Sequence, residues 1–102
     1  MNARNELINK LNAYGYSYED IVIYEIHLDK YCLAEFNVAK SNYVLKNALN
    51  ENLFSYLDFE YDNGYKGFGK QCIRGKIVLA DGNSFVRNSA GGAEWWEFKK
   101  YN

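Results

Sequence analysis

The stretch "KQCIRGKIVLADGNSFVRNSAGGAEWWEFKKY", Lys70 to Tyr101, decides the fold of this chain. It contains three segments rich in β-branched and aromatic residues, separated by the glycine-containing turns "DGN" and "SAGGA". Asp-Gly and Gly-Gly pairs between such segments are typical of tight hairpins, because glycine accepts the positive φ that these turns need. The stretch therefore predicts an antiparallel meander.

Upstream of this meander the pattern predicts helices and further strands. Asn2 can cap a helix over residues 3–14, because apolar residues form one stripe at helical spacing and Gly15 can end it. "IVIYEIHL", residues 21–28, predicts a strand, and "YCLAEFNVA", residues 31–39, a second one. Apolar pairs at helical spacing in residues 41–57 predict a second short helix.

These elements together predict an α+β fold, with both helices packed on one face of an antiparallel sheet. The chain has 102 residues, of which 48% are apolar and 18% aromatic. That content is enough for one modest core and too apolar for a disordered chain. We therefore expect a single compact domain over residues 1–102.

Charge and cysteine content narrow the classes of partner. The formal net charge is −1 and no run of Lys or Arg exceeds two residues, so we expect no direct nucleic-acid partner. No apolar run approaches the length of a membrane span, so no membrane partner is expected either. Cys32 and Cys72 form no paired motif and are interpreted as free thiols, which favours a cytoplasmic location.

"LDFEYDNGY", Leu57 to Tyr65, alternates apolar and acidic residues before an Asn-Gly turn. If it is extended, Asp58, Glu60 and Asp62 share one face and the other face turns to the core. The carboxylates are either an ordinary solvated face or an acidic docking surface, flanked by Tyr65, for a protein with a basic surface.

Two adjacent tryptophans, Trp95 and Trp96, must point to opposite sides of a strand. One indole should therefore enter the core while the other faces solvent, although the sequence does not say which. An exposed tryptophan is a frequent interface anchor, so both residues join the candidate partner-binding set.

No motif in the sequence predicts catalysis. The single histidine, His27, is not accompanied by a recognisable nucleophile motif, and the glycines of "GYKGFG" lack the order of a phosphate-binding loop. No paired ligand spacing indicates a metal site. We therefore expect a non-enzymatic protein without cofactor or metal.

Three separated pieces resemble a group of small tailed-phage and prophage proteins. They are "LDFEYDNGY" (57–65), "GKIVLADGNSF" (75–85) and "EWWE" (94–97), where the group shows LDFEYDxGY, a strand pair around Asp-Gly, and EWWE. The acidic turn that usually precedes EWWE is replaced here by "NSAGGA" (88–93).

The resemblance implies a mobile-element protein that acts in the host cell by binding a host protein, as anti-CRISPR inhibitors do. We therefore expect an inhibitor of a host defence or nucleic-acid enzyme. An immunity or antitoxin protein that neutralises a toxin is the alternative. A small nucleic-acid-binding module is a further one, and its only clustered cations would be Arg74, Lys76, Arg87, Lys99 and Lys100.

Overall fold

A computed structural model describes residues 1–28, 43–46, 54, 57–61 and 71–101 of the chain. Its elements are helix α1 (Ala3–Ala13), a 3₁₀ turn (Tyr18–Asp20), and strands β1 (Ile21–Leu28), β2 (Tyr43–Lys46), β3 (Ile73–Leu79), β4 (Ser84–Ala90) and β5 (Ala93–Lys99). The strands form one sheet in the order β2-β1-β3-β4-β5, and every neighbouring pair is antiparallel. The predicted α+β fold with an antiparallel sheet is confirmed.

Helix α1 begins and ends close to where the sequence predicts. The side-chain oxygen of Asn2 accepts a hydrogen bond from the backbone N–H of Asn5 at 2.9 Å, which satisfies one of the free donors of the first turn. Gly15 follows the helix with a φ of +81°. The buried stripe of α1 consists of Ala3, Leu7 and Leu11, so the helix has one apolar face for the sheet.

The two predicted hairpin turns are present. Between β3 and β4, Gly82 has a φ of +91°, and the carboxylate of Asp81 accepts a hydrogen bond from the backbone N–H of Asn83 at 2.9 Å. Between β4 and β5, Gly91 and Gly92 both have positive φ. The length and type of each turn set the register of the two strands that it joins. Glycine allows the positive φ that these turns need.

The sheet has an inner face, which lies towards α1, and an outer face on the opposite side. Inner-face side chains of β1, β3, β4 and β5 join the buried stripe of the helix and the segment 57–61 in one apolar cluster. The cluster contains Ala3, Leu7, Leu11, Tyr24, Ile26, Leu28, Leu57, Phe59, Tyr61, Cys72, Ile73, Ile77, Leu79, Phe85 and Trp96. Among the described residues, the core therefore lies on one side of the sheet.

The predicted second helix is wrong for residues 43–46. These residues form β2, which pairs with β1 from Glu25↔Lys46 to Leu28↔Tyr43. Pairing satisfies the backbone groups along the free edge of β1, and a Tyr-Val-Leu sequence fits a pleated strand, so tertiary pairing overrides the helical spacing. Phe54 is in helical conformation. The strand predicted over residues 31–39 lies outside the described residues.

Candidate functional site

The acidic segment 57–61 is fastened to the start of helix α1. The backbone N–H of Ala3 donates to the carbonyl of Phe59, and the N–H of Tyr61 donates to the carbonyl of Met1, both at 2.9 Å. Leu57, Phe59 and Tyr61 are buried, as the alternating pattern predicts. Leu57 lies in a turn, where its carbonyl accepts from the backbone N–H of Phe59 at 2.8 Å. Glu60 then forms a single β-bridge with Asn2 instead of joining the five-stranded sheet.

Asp58 and Glu60, which we call the acidic pair, project from the opposite side of this segment and are exposed. Asp58 accepts a hydrogen bond from the side-chain amide of Asn2 at 3.0 Å. Glu60 lies 3.1 Å from the amino group of Met1, yet 64% of its side chain remains accessible. Both carboxylates therefore face solvent from a backbone that the core holds in place.

A shallow groove of about 610 Å³ lies between Glu60 and the solvent side of α1. We call it the helix-side groove, and its walls are Met1, Asn2, Asn5, Glu6, Asn9, Lys10, Ala13 and Glu60. The three asparagine amides can both donate and accept hydrogen bonds. The groove thus combines neutral polar contacts with the exposed carboxylate of Glu60 and the cation of Lys10.

Glu6, at the inner side of the groove, is already engaged within the molecule. One carboxylate oxygen accepts from Nη1 of Arg87 at 2.9 Å, and the other accepts from the hydroxyl of Tyr61. Only 15% of its side chain is exposed. The charge of Glu6 is therefore matched by the buried Arg87, and the carboxylates that remain open to solvent here are those of Asp58 and Glu60.

Arg87 is the centre of a buried polar network that the sequence did not predict. Its Nε and Nη2 donate to one carboxylate oxygen of Glu94 at 3.1 and 2.8 Å, and Nη2 also donates to Tyr61 at 2.6 Å. The other oxygen of Glu94 accepts from the backbone N–H of Cys72 at 2.7 Å. Arg87 is 5% exposed, so its inclusion among surface cations was wrong.

The pKa shifts of Tyr61 and Arg87 keep both groups in one protonation state near neutral pH. Burial raises the pKa of Tyr61, and its hydrogen bond to Glu6 raises it further. Burial alone lowers the pKa of Arg87, but the hydrogen bond and charge of Glu6 raise it above its ordinary value. Tyr61 therefore stays a neutral donor and Arg87 stays charged near neutral pH, so the network serves packing and positioning.

The structure separates the residues that the sequence grouped as a partner-binding set. Trp96 is 2% exposed and lies in the core with the Arg87 guanidinium 5.1 Å from its ring centre. Trp95 is exposed on the outer face, on the other side of the sheet from the acidic pair. Asp62 and Tyr65 lie outside the described residues. One continuous surface cannot therefore contain both Trp95 and the acidic pair.

The histidine and the cysteines are the other side chains that could carry chemistry. The ring of His27 lies 3.0 Å from the carboxylate of Glu25, and both are exposed on the outer face. Among the residues described, no cluster of three or more His, Cys, Asp or Glu could hold a metal ion. Cys72 is disulfide-bonded, so its interpretation as a free thiol was wrong. The chain's other cysteine, Cys32, lies outside the described ranges.

The disulfide removes one support for a cytoplasmic location, because that expectation used free thiols. Within the part of the chain that the structure describes, no helix has the length and apolar character needed to cross a membrane. Comparison with protein-family models, curated proteins and solved structures gives no match for this chain.

Proposed function

We propose that this protein is a non-catalytic inhibitor of the phage type, which binds a basic surface of a host defence or nucleic-acid enzyme of the kind that anti-CRISPR proteins block. The observation that carries the proposal is the presentation of Asp58 and Glu60. Both are exposed, while Leu57, Phe59 and Tyr61 between and beside them are buried. The phage-type origin rests on the resemblance of residues 57–65, 75–85 and 94–97 to small phage proteins.

The backbone of segment 57–61 is already ordered, which suits this role because a partner does not have to order it on binding. The hydrogen bonds between segment 57–61 and residues 1–3 hold the acidic pair in place before any partner arrives. Preorganisation of this kind lowers the entropy cost of association. A lysine or arginine of the partner would pair with Glu60, and its neighbours could bond the asparagine amides of the helix-side groove.

Opposite charge also gives the proposed complex a characteristic dependence on salt. Exposed carboxylates speed the encounter with a basic surface, and the attraction weakens as ionic strength screens it. A nucleic-acid enzyme suits such an inhibitor, since its substrate site must attract phosphates and therefore attracts carboxylates too.

The first experiment identifies the target and tests its inhibition. The full chain is used to pull down partners from lysates that carry host defence systems, and the purified partner is then titrated with the chain in its own activity assay. We expect activity to fall to zero at a fixed molar ratio. Turnover of the partner or of its substrate by the chain would contradict the proposal.

The second experiment tests the acidic pair. Asp58→Asn with Glu60→Gln should weaken binding roughly three- to thirty-fold, the range for two exposed ion pairs, and should flatten the salt dependence. The control Glu25→Gln with Glu97→Gln makes the same charge change on the outer face and should leave affinity almost unchanged. If both variants bind like wild type while folded, the acidic pair is only a solvated face.

A further inference from the structure

The outer face of the sheet has a charge pattern different from that of the helix-side groove. Side chains of β3 alternate, so Ile73, Ile77 and Leu79 are buried while Arg74 and Lys76 are exposed on the other side. The two cations are roughly 7 Å apart along the strand. The most central strand of the sheet thus presents two positive charges to solvent.

These two cations differ from the other charged side chains that the structure describes on the outer face. Glu25 pairs with His27, and Glu97 pairs with Lys99. Within the described part of the chain, the side chains of Arg74 and Lys76 form neither an ion pair nor a hydrogen bond. Neither side chain is therefore held by an acceptor of the described chain, and both can bind carboxylates from outside.

Apolar side chains lie beside the cations. The register pairs Ile23 with Val78, next to the Glu25↔Lys76 pair, and a bulge between Ile21 and Ile23 inserts Val22. Val22 and Ile23 are 39% and 53% exposed. Aliphatic side chains this open, together with the exposed Trp95 on β5, add apolar contact area to the face.

The arrangement of the acidic residues decides between an acidic protein segment and a nucleic acid. Across the sheet, Glu25 is paired with Lys76, Lys76 with Val86, and Val86 with Glu97. Glu25 and Glu97 thus flank Lys76 on the same face, and a strand of repeating phosphates would pass over both carboxylates. A single carboxylate of a protein segment can contact Lys76 and Arg74 without passing over Glu25 or Glu97.

We propose that the outer face is a second docking surface, separate from the helix-side groove, that binds a protein segment carrying carboxylates next to apolar side chains. Arg74 and Lys76 bind the carboxylates. Val22, Ile23 and Val78 take the apolar side chains, while Trp95 supplies an aromatic contact at the far edge. The chain then has two faces of opposite preference and can contact two different surfaces at once.

A selection from random peptides tests this surface without assuming the sequence of the bound segment. A random linear-peptide library is displayed on phage and selected on the immobilised full-length chain. The recovered peptides are then measured against wild type, against Arg74→Glu with Lys76→Glu, and against the control Lys100→Glu, which reverses the charge of an exposed lysine beyond the end of β5. Circular dichroism and a thermal melt establish that each variant is folded, and Arg74→Gln with Lys76→Gln replaces the reversal variant if that one is not.

We expect peptides that bind the control as well as wild type but lose about tenfold or more in affinity on the reversal variant, since like charges then face each other. These peptides should be rich in Asp or Glu beside apolar residues. Recovery of no peptide with this discrimination, or of discriminating peptides rich in Lys or Arg, would overturn the proposal. Salt-sensitive binding of oligothymidylate that is lost in the reversal variant would overturn it in favour of a nucleic acid.

Discussion

Arg87 is a fully enclosed positive charge that the molecule accommodates by surrounding it with acceptors. Its guanidinium reaches Glu94 on the neighbouring strand, Glu6 on the helix and the hydroxyl of Tyr61 on the acidic segment. A buried ion of this kind is stable only when its partners are all in place. The network therefore ties the helix, segment 57–61 and the β4–β5 hairpin to one another.

Replacing Arg87 with alanine should destabilise the protein by about 3–5 kcal/mol, because the carboxylates of Glu6 and Glu94 would lose their buried counter-ion. The measurement is urea unfolding at neutral pH. Arg74→Ala, which removes an exposed arginine from the outer face, is the matched control and should change the free energy of unfolding by at most about 0.5 kcal/mol. Equal effects of the two substitutions would show that the network does not hold the elements together.

At the scale of elements, the sequence predicted the features that depend only on neighbouring residues. The cap at Asn2, the glycine turns and the alternation in residues 57–61 depend on nearest neighbours, and each is present. Strand β2 depends instead on the free edge of β1, which no local pattern in residues 43–46 encodes. For the same reason, the pairing of segment 57–61 with residues 1–3 could not be predicted from alternation.

The close pairing of β1 with β3 depends on a glycine at position 75. Gly75 lies opposite Ile26 with a φ of +137°, and a Cβ there would be 2.0 Å from the carbonyl oxygen of Glu25. Gly75→Ala should therefore cost about 3 kcal/mol or more, from steric overlap added to a disfavoured φ. The measurement is again denaturant unfolding.

Gly15→Ala is the control for this prediction. Gly15 also has a positive φ, but no heavy atom lies within 4 Å of the added Cβ. Its cost should be the backbone cost alone, about 1–2 kcal/mol. If Gly75→Ala costs no more than Gly15→Ala, β1 and β3 approach each other less closely than this structure has them.

At the scale of the whole molecule, the distribution of charge over two faces is the feature that composition could not show. A net charge of −1 suggests a nearly neutral surface. The fold instead places the acidic pair beside α1 and the unpaired Arg74 and Lys76 on the outer face. The assignment of charges to faces follows from which strands pair and in what register, and these are properties of the complete sheet.

The disulfide at Cys72 is a constraint on the whole chain, and it gives the last prediction. Cys72 lies next to β3 in the apolar cluster, and the chain contains only one other cysteine, Cys32. Reductant should lower the free energy of unfolding by about 2–4 kcal/mol, because the unfolded chain gains the freedom that the bond removes. Cys72→Ser should show this loss without reductant and no further change when reductant is added.

Thiol alkylation and intact mass identify the bond directly. Protein prepared without reductant should take up no alkylating reagent after unfolding, and should gain two groups once it is reduced. A monomer on a non-reducing gel places the bond within one chain, whereas a dimer places it between two. If the unreduced protein is fully alkylated and reductant leaves its stability unchanged, the bond does not form in solution, and the free thiols expected from the sequence are the correct description.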